Sequence, residues 1–254
     1  MGSQGLGGMI QTRQSCEFVI HIESDIKERV DEMKLYNQDC LPAMKEMPDN
    51  AFSLAIVDPP YGGGQHFNFR YGDDKVYQNI KPTSEYFKQL FRISTNQIIW
   101  GGNYFADMLP VNRCWLSWYK GQPINAFSDF ELAWTSFDQT SKAVKIESYG
   151  FNHADKRNTG QKPIHPTQKP IALYAWLLTN YAKPGQTILD THGGSMSIAI
   201  ACYDLGYDLT VYEIDKEYFE AATERIERHK AQGQLFQAGE VMTVENMEKG
   251  RGKR

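Results

Sequence analysis

Cysteine is scarce in this 254-residue chain: four residues, Cys16, Cys40, Cys114 and Cys202, with no CxxC pair. Such scatter argues against a disulfide framework or a zinc site and points to reduced thiols in a cytoplasmic protein. The six histidines fall into no metal-ligand spacing either, so no metal is expected. No apolar run approaches the roughly 20 residues that cross a bilayer. The opening "MGSQGLGG" is not the basic-then-apolar start of a signal peptide. Positive charge is not in excess: the formal net charge is −4. That disfavours coating nucleic acid by bulk attraction, although a local basic face suffices for phosphate contacts. One stretch offers such a face, with Lys142, Lys145, Lys156, Arg157, Lys162 and Lys169 against only Glu147 and Asp155. A solvated loop is the plainer explanation of that stretch.

What is present is a chain of ordinary globular composition, 41% hydrophobic and 23% charged, long enough for one sizeable core. Residues 1–33 read as an arm, 34–232 as a single domain and 233–254 as a polar tail. Short apolar runs predict strands at Lys34–Tyr36, Phe52–Val57, Gln97–Trp100, Cys114–Trp118, Phe130–Thr135, Thr187–Asp190 and Leu209–Tyr212. Helical patterns predict a short helix ending near Pro48, then Thr83–Ser94, Ile171–Tyr181, Ser195–Leu205 and Lys216–His229. Residues 62–82 and 136–168 read as long loops, a length more often functional than incidental. The C-terminal alternation of strand and helix implies a doubly wound α/β fold with a mostly parallel sheet.

Two stretches carry chemistry. "TILDTHGGSMSIAIACYDLGYDLTVYEID" (187–215) places Asp190 at a strand end, a tight turn at Gly193, Gly194 and Ser195, and Glu213 at the tip of the next strand. A carboxylate about twenty residues past a glycine turn suits ribose hydroxyls. The turn lacks the GxGxxG spacing that seats a pyrophosphate, so a nucleoside without phosphate, S-adenosyl-L-methionine (AdoMet), fits better; a purely structural turn fits as well. The second stretch is "DPPYG" (58–62), directly after the apolar run ending at Val57. Pro60 holds Pro59 extended, and neither ring carries an N–H. The Asp58 carboxylate and the Pro59 carbonyl can therefore present two acceptors to an exocyclic amino group, with Tyr61 as a ring on which a flipped base could lie. The bland reading is a strand terminator.

"DPPYG" resembles the catalytic motif of the DNA amino-methyltransferases, which methylate adenine N6 or cytosine N4. The order "DPPY", "KPIHPTQKP" (162–170), "ILDTHGGS" resembles the circularly permuted β group of that family, in which the catalytic motif comes first. "LYNQDCL" (35–41) resembles its segment lining the cofactor adenine, and "FSDFELAWTSF" (127–137) a strand of phage and prophage adenine methylases. The resemblance implies a seven-stranded, Rossmann-like, AdoMet-dependent methyltransferase sheet. It implies Asp58, Pro59, Pro60 and Tyr61 as the catalytic group. Around the cofactor it implies Asp39 and Cys40 near the adenine, and Thr167, Gln168 and Lys169 near the methionine carboxylate. Asp190, His192, Gly193, Gly194 and Ser195 would shape the methionine side, Glu213 would hold the ribose, and Asp58 would also contact the cofactor. Double-stranded DNA would be the partner, held by Lys142, Lys145, Lys156, Arg157 and Lys162. A homodimer, and a cognate restriction enzyme if the chain serves a restriction–modification system, are also implied. Met196 departs from the pattern, standing where the family typically has glycine in a turn of positive φ. Adenine is expected over cytosine because cytosine-N4 members often carry Ser in place of Asp58. A cytosine-N4 enzyme, a non-catalytic DNA-binding relative, and a methylase of RNA or another amide remain the competing readings.

Overall fold

The computed structural model describes residues 33–62, 80–121, 128–148 and 163–237. Eight strands among these residues form one sheet: β1 (Lys34–Tyr36), β2 (Phe52–Val57), β3 (Ser94–Trp100), β4 (Trp115–Tyr119), β5 (Phe130–Thr135), β6 (Lys142–Lys145), β7 (Thr187–Asp190) and β8 (Asp208–Tyr212). Their order across the sheet is β1-β8-β7-β2-β3-β5-β4-β6. Only β5 runs antiparallel to its neighbours, its Trp134 opposite Ile99 of β3 and its Ala133 opposite Leu116 of β4.

The helices are α1 (Cys40–Glu46), α2 (Ser84–Ile93), α3 (Ile171–Tyr181), α4 (Ser197–Leu205) and α5 (Lys216–Gln237), with a 3₁₀ turn at Gly102–Tyr104. Strand β2 shows why the sheet needs two helical layers. Its alternate residues face opposite ways, and all four of Leu54, Ala55, Ile56 and Val57 are buried. Leu54 and Ile56 pack with Leu173 and Leu177 of α3, Ile198 of α4 and Ile226 of α5. Ala55 and Val57 pack with Met44 of α1 and with Phe87 and Leu90 of α2. An apolar run without alternation is what burial on both faces requires.

The sequence reading departs from the structure at four places. The sheet has eight strands rather than seven, because Lys142–Lys145 pairs in parallel with the outer edge of β4. This stretch is short and largely exposed, so no apolar run announces it. Strand β3 begins at Ser94, with no loop after α2; the Ser94 hydroxyl turns back onto the Leu90 carbonyl at 2.6 Å. Helix α4 opens at Ser197, leaving Ser195 and Met196 in the turn. Helix α5 continues to Gln237, past the expected tail boundary, since a single glycine at 233 costs a helix only about 1 kcal/mol. Residues 1–32, 63–79, 122–127, 149–162 and 238–254 lie outside the described set, and with them Lys156, Arg157 and Lys162.

Strand order reverses between β7 and β2. The chain leaves β7 through α4 towards β8, and leaves β2 through α2 towards β3. At such a switch point the two connections diverge and open a crevice at the carboxyl ends of the strands.

Candidate active site

The crevice gathers the ends of β2, β7 and β8. Asp58 follows β2 and uses both carboxylate oxygens: Oδ1 accepts the Tyr61 hydroxyl at 2.7 Å, and Oδ2 accepts the Lys169 ammonium. Lys169 sits just before α3, and its side chain is only 3% exposed. Its ammonium also lies 3.1 Å from Glu131 Oε2 on β5 and 5.6 Å from the centre of the Trp100 ring. Glu131 in turn holds Lys120, which follows β4, at 2.5 Å. Burial works against the Lys169 charge, but Asp58 and Glu131 override it and raise its pKa above the ordinary value. Burial would likewise push Glu131 up, yet Lys169 and Lys120 hold its carboxyl down at about 2. These groups therefore stand as four charges of alternating sign: Asp58, Lys169, Glu131, Lys120.

The Tyr61 ring lies on Tyr104, centroids 4.8 Å apart and planes 14° apart, with the edge of Phe105 at 6.1 Å. Gly101 makes this possible. A Cβ there would fall 2.1 Å from the Tyr61 ring, and its φ of +67° is itself a glycine conformation.

Beside Asp58 opens a cleft of about 440 Å³ walled by Pro60, His165, Thr167, Gln168, Lys169, Tyr174, His192, Gly193, Gly194, Ser195, Glu213, Ile214, Asp215 and Tyr218. Glu213 closes the β7–α4 turn: Oε2 accepts the Gly194 N–H at 2.7 Å and Oε1 the Asp215 N–H at 2.8 Å. Arg225 of α5, buried, donates to the Ser195 carbonyl at 2.9 Å and the Ser197 hydroxyl at 3.0 Å, pinning the turn from below. Asp190, 1% exposed, accepts the His192 N–H at 3.0 Å. Burial pushes its carboxyl up to about 7, with Asp58 and Glu213 adding to the rise. Burial also drops His192 to about 4, leaving it neutral; its Nδ1 lies 2.9 Å from the Thr191 hydroxyl, which meets Tyr86 at 2.6 Å.

This chemistry can be matched to a ligand. Three carboxylates, Asp58, Glu213 and Asp215, face the cleft, whereas its one lysine is engaged by Asp58 and Glu131. Such a wall suits hydroxyls and a positive centre, and gives a phosphate little to hold. A ligand with ribose hydroxyls and a sulfonium fits it.

The expected site residues do not all meet there. Asp58, Pro60, Thr167, Gln168, Lys169, His192, Gly193, Gly194, Ser195 and Glu213 line the cleft. Tyr61 reaches it through Asp58, and Asp190 lies beneath. Asp39 instead caps α1, accepting the Leu41 N–H at 2.9 Å, though its charge still reaches His192. Cys40 is buried against Met44, and burial drives its thiol up to about 12, so it is no nucleophile. Lys142 and Lys145 lie exposed on β6. Sequence reading missed Glu131, Lys120, Tyr104 and Arg225. All four come from elements distant in sequence, and only the charged residue inside the apolar run "FELAWT" hints at the first.

Residues 110–224 match the N6_N4_Mtase family, described as DNA methylase. Among curated proteins, the type II methyltransferase M.HpaI of Haemophilus parainfluenzae is 24% identical over 237 residues, covering 77% of this chain and 74% of that protein. The solved structure of the M1.HpyAVI–SAM complex superposes with a TM-score of 0.56 at 20% identity, covering 76% of this chain and 99% of that one. The PvuII DNA methyltransferase, described as cytosine-N4-specific, gives 0.52 at 15% identity, covering 78% and 91%. At these identities the structural likeness speaks for the fold.

Proposed function

We propose that this chain, a relative of the DNA amino-methyltransferases, transfers the methyl group of AdoMet to adenine N6 in double-stranded DNA, acting on a base turned out of the stack. The observation that carries the reading is Asp58, held by Tyr61 and Lys169 at the mouth of the cleft that the Gly193–Ser195 turn and Glu213 close. AdoMet, when bound, supplies a sulfonium methyl for direct transfer. Glu213 would hold the ribose hydroxyls, and Thr167 and Gln168 the methionine end.

The chain's own contribution is placement. Asp58 and the Pro59 carbonyl take the two N–H donors of the target amino group. Drawing on both hydrogens weakens conjugation of the nitrogen lone pair with the ring and aims it into the cleft. A carboxylate oxygen has more than one acceptor site, so Asp58 can take an amino hydrogen while keeping Tyr61 and Lys169. Tyr61, backed by Tyr104, offers the aromatic surface for an unstacked base. Buried Lys169 anchors the Asp58 carboxylate; no covalent intermediate with the protein is needed.

Expression in a bacterial host without DNA methylation, followed by modification-sensitive long-read sequencing, tests the reading. N6-methyladenine at a defined site is expected. N4-methylcytosine would move the assignment to the specificity ascribed to the PvuII enzyme, and unmodified DNA with soluble protein present would overturn both. Asp58→Ala should lower transfer by about 10²–10³-fold while duplex affinity stays within about threefold. The fold should survive, because Glu131 remains as counter-ion to Lys169.

A further inference from the structure

We infer that Glu131 is a positioning residue for the methyl transfer, acting through Lys169 to hold Asp58 correctly aimed as an acceptor for the target amino group. The inference rests on the function proposed above. Glu131 does not line the cleft; it stands on the one antiparallel strand, at the end nearest the crevice. Its two oxygens are divided between two lysines, Oε1 to Lys120 at 2.5 Å and Oε2 to Lys169 at 3.1 Å.

A buried ammonium must be matched by charge and by acceptors. Lys169 is faced by Asp58 and Tyr61 from the loop after β2, by Glu131 from β5, by the Trp100 ring at the end of β3 and by Asp190 at the end of β7; Tyr174 of α3 faces Asp58, Glu131 and Asp190, and Lys120 adjoins Glu131. Were Asp58 its sole contacting anion, the pair would cancel. The ammonium could also swing towards Oδ1, where Tyr61 donates, and crowd the face the substrate needs. A second carboxylate, Glu131, holds Lys169 back and shares its charge, so Asp58 stays anchored with an acceptor site open to the substrate. Lys120 then neutralises Glu131, and the four charges sum to zero within the buried edge of the sheet. A mere strand-packing residue at position 131 would need no carboxylate.

The test compares Glu131→Gln and Glu131→Asp with the wild type, using labelled AdoMet and unmethylated genomic DNA as acceptor. Glu131→Gln should lower kcat by about 10–100-fold, with Kd for AdoMet and for duplex within about threefold, and Glu131→Asp should recover most of the rate. Wild-type kcat in Glu131→Gln overturns the inference, as does a loss of kcat matched by equal losses in both affinities. Thermal unfolding supplies a readout free of activity. The folded pKa of Glu131 lies near 2, below its ordinary 4.5, so its stabilisation is present above about 4.5 and is lost as pH falls towards 2. A stability gap between wild type and Glu131→Gln at pH 7 that closes over that window supports the ion chain; no gap at any pH overturns it. A wild type that binds no AdoMet sinks the proposed function, and the unfolding comparison still decides whether Glu131 holds Lys169.

Discussion

Asp190 shows how one residue can link the cofactor to pH. Its buried carboxyl titrates near 7 rather than near 3.8, with burial the largest cause. A positive ligand above it favours the ionised form, so binding at lower pH must expel the proton. AdoMet affinity should therefore rise as pH climbs from about 6 to 8 and level off above, by at most tenfold per unit. Calorimetry at pH 6.5 in two buffers of different ionisation enthalpy should register release of up to one proton, absent in Asp190→Asn. His192 cannot be the source, since it is already neutral with a pKa of about 4. The sign for the free protein is opposite: a raised carboxylate pKa costs stability as pH rises from about 4 to 7.

At the scale of elements, the turn from β7 to α4 holds a non-glycine residue in a glycine conformation. Met196 adopts φ 50°, ψ 37°, the left-handed conformation that favours glycine. Its side chain is fully buried with the core under α4 and does not line the cleft. Restoring glycine would relieve about 1 kcal/mol of backbone strain. It would also empty a packed site, at about 2–5 kcal/mol by comparison with Met→Ala substitutions. Packing wins: Met196→Gly should lose about 1–4 kcal/mol in denaturant unfolding, with AdoMet affinity unchanged within about threefold. The expected defect is one of stability rather than of the cofactor site.

Over the whole molecule, charge is arranged by edge rather than by total. The net charge of −4 does not locate a face on which a duplex would dock. The crevice, Lys120 and the end of β6 share the carboxyl edge of the parallel strands, and there Lys145 lies over the exposed ring of Tyr119 at 6.0 Å. Lys142 begins the same strand, roughly 10 Å away. Lys145→Gln should weaken duplex binding and reduce the slope of log K against log salt by about 0.9, the release of one counter-ion. Lys142→Gln should leave that slope unchanged. Fluorescence anisotropy across a salt series separates the two.

The sequence by itself determined the fold class, the parallel core strands and two loops at strand ends that line the cleft. Each rests on local physics: apolar runs of strand length, a proline pair without N–H groups, and glycines at a turn. It announced Asp58, Glu213 and the Gly193–Ser195 turn because motif residues sit where strands end. Tertiary structure alone decided that Lys169 grips Asp58, that Glu131 and Lys120 complete the chain of charges, and that Asp39 caps a helix outside the cleft wall. It alone decided the eighth strand, whose four residues take their order from pairing with β4. The ion pairs and the edge strand share one reason: their partners lie 11 to 111 residues away, and a one-dimensional pattern carries no distance between them.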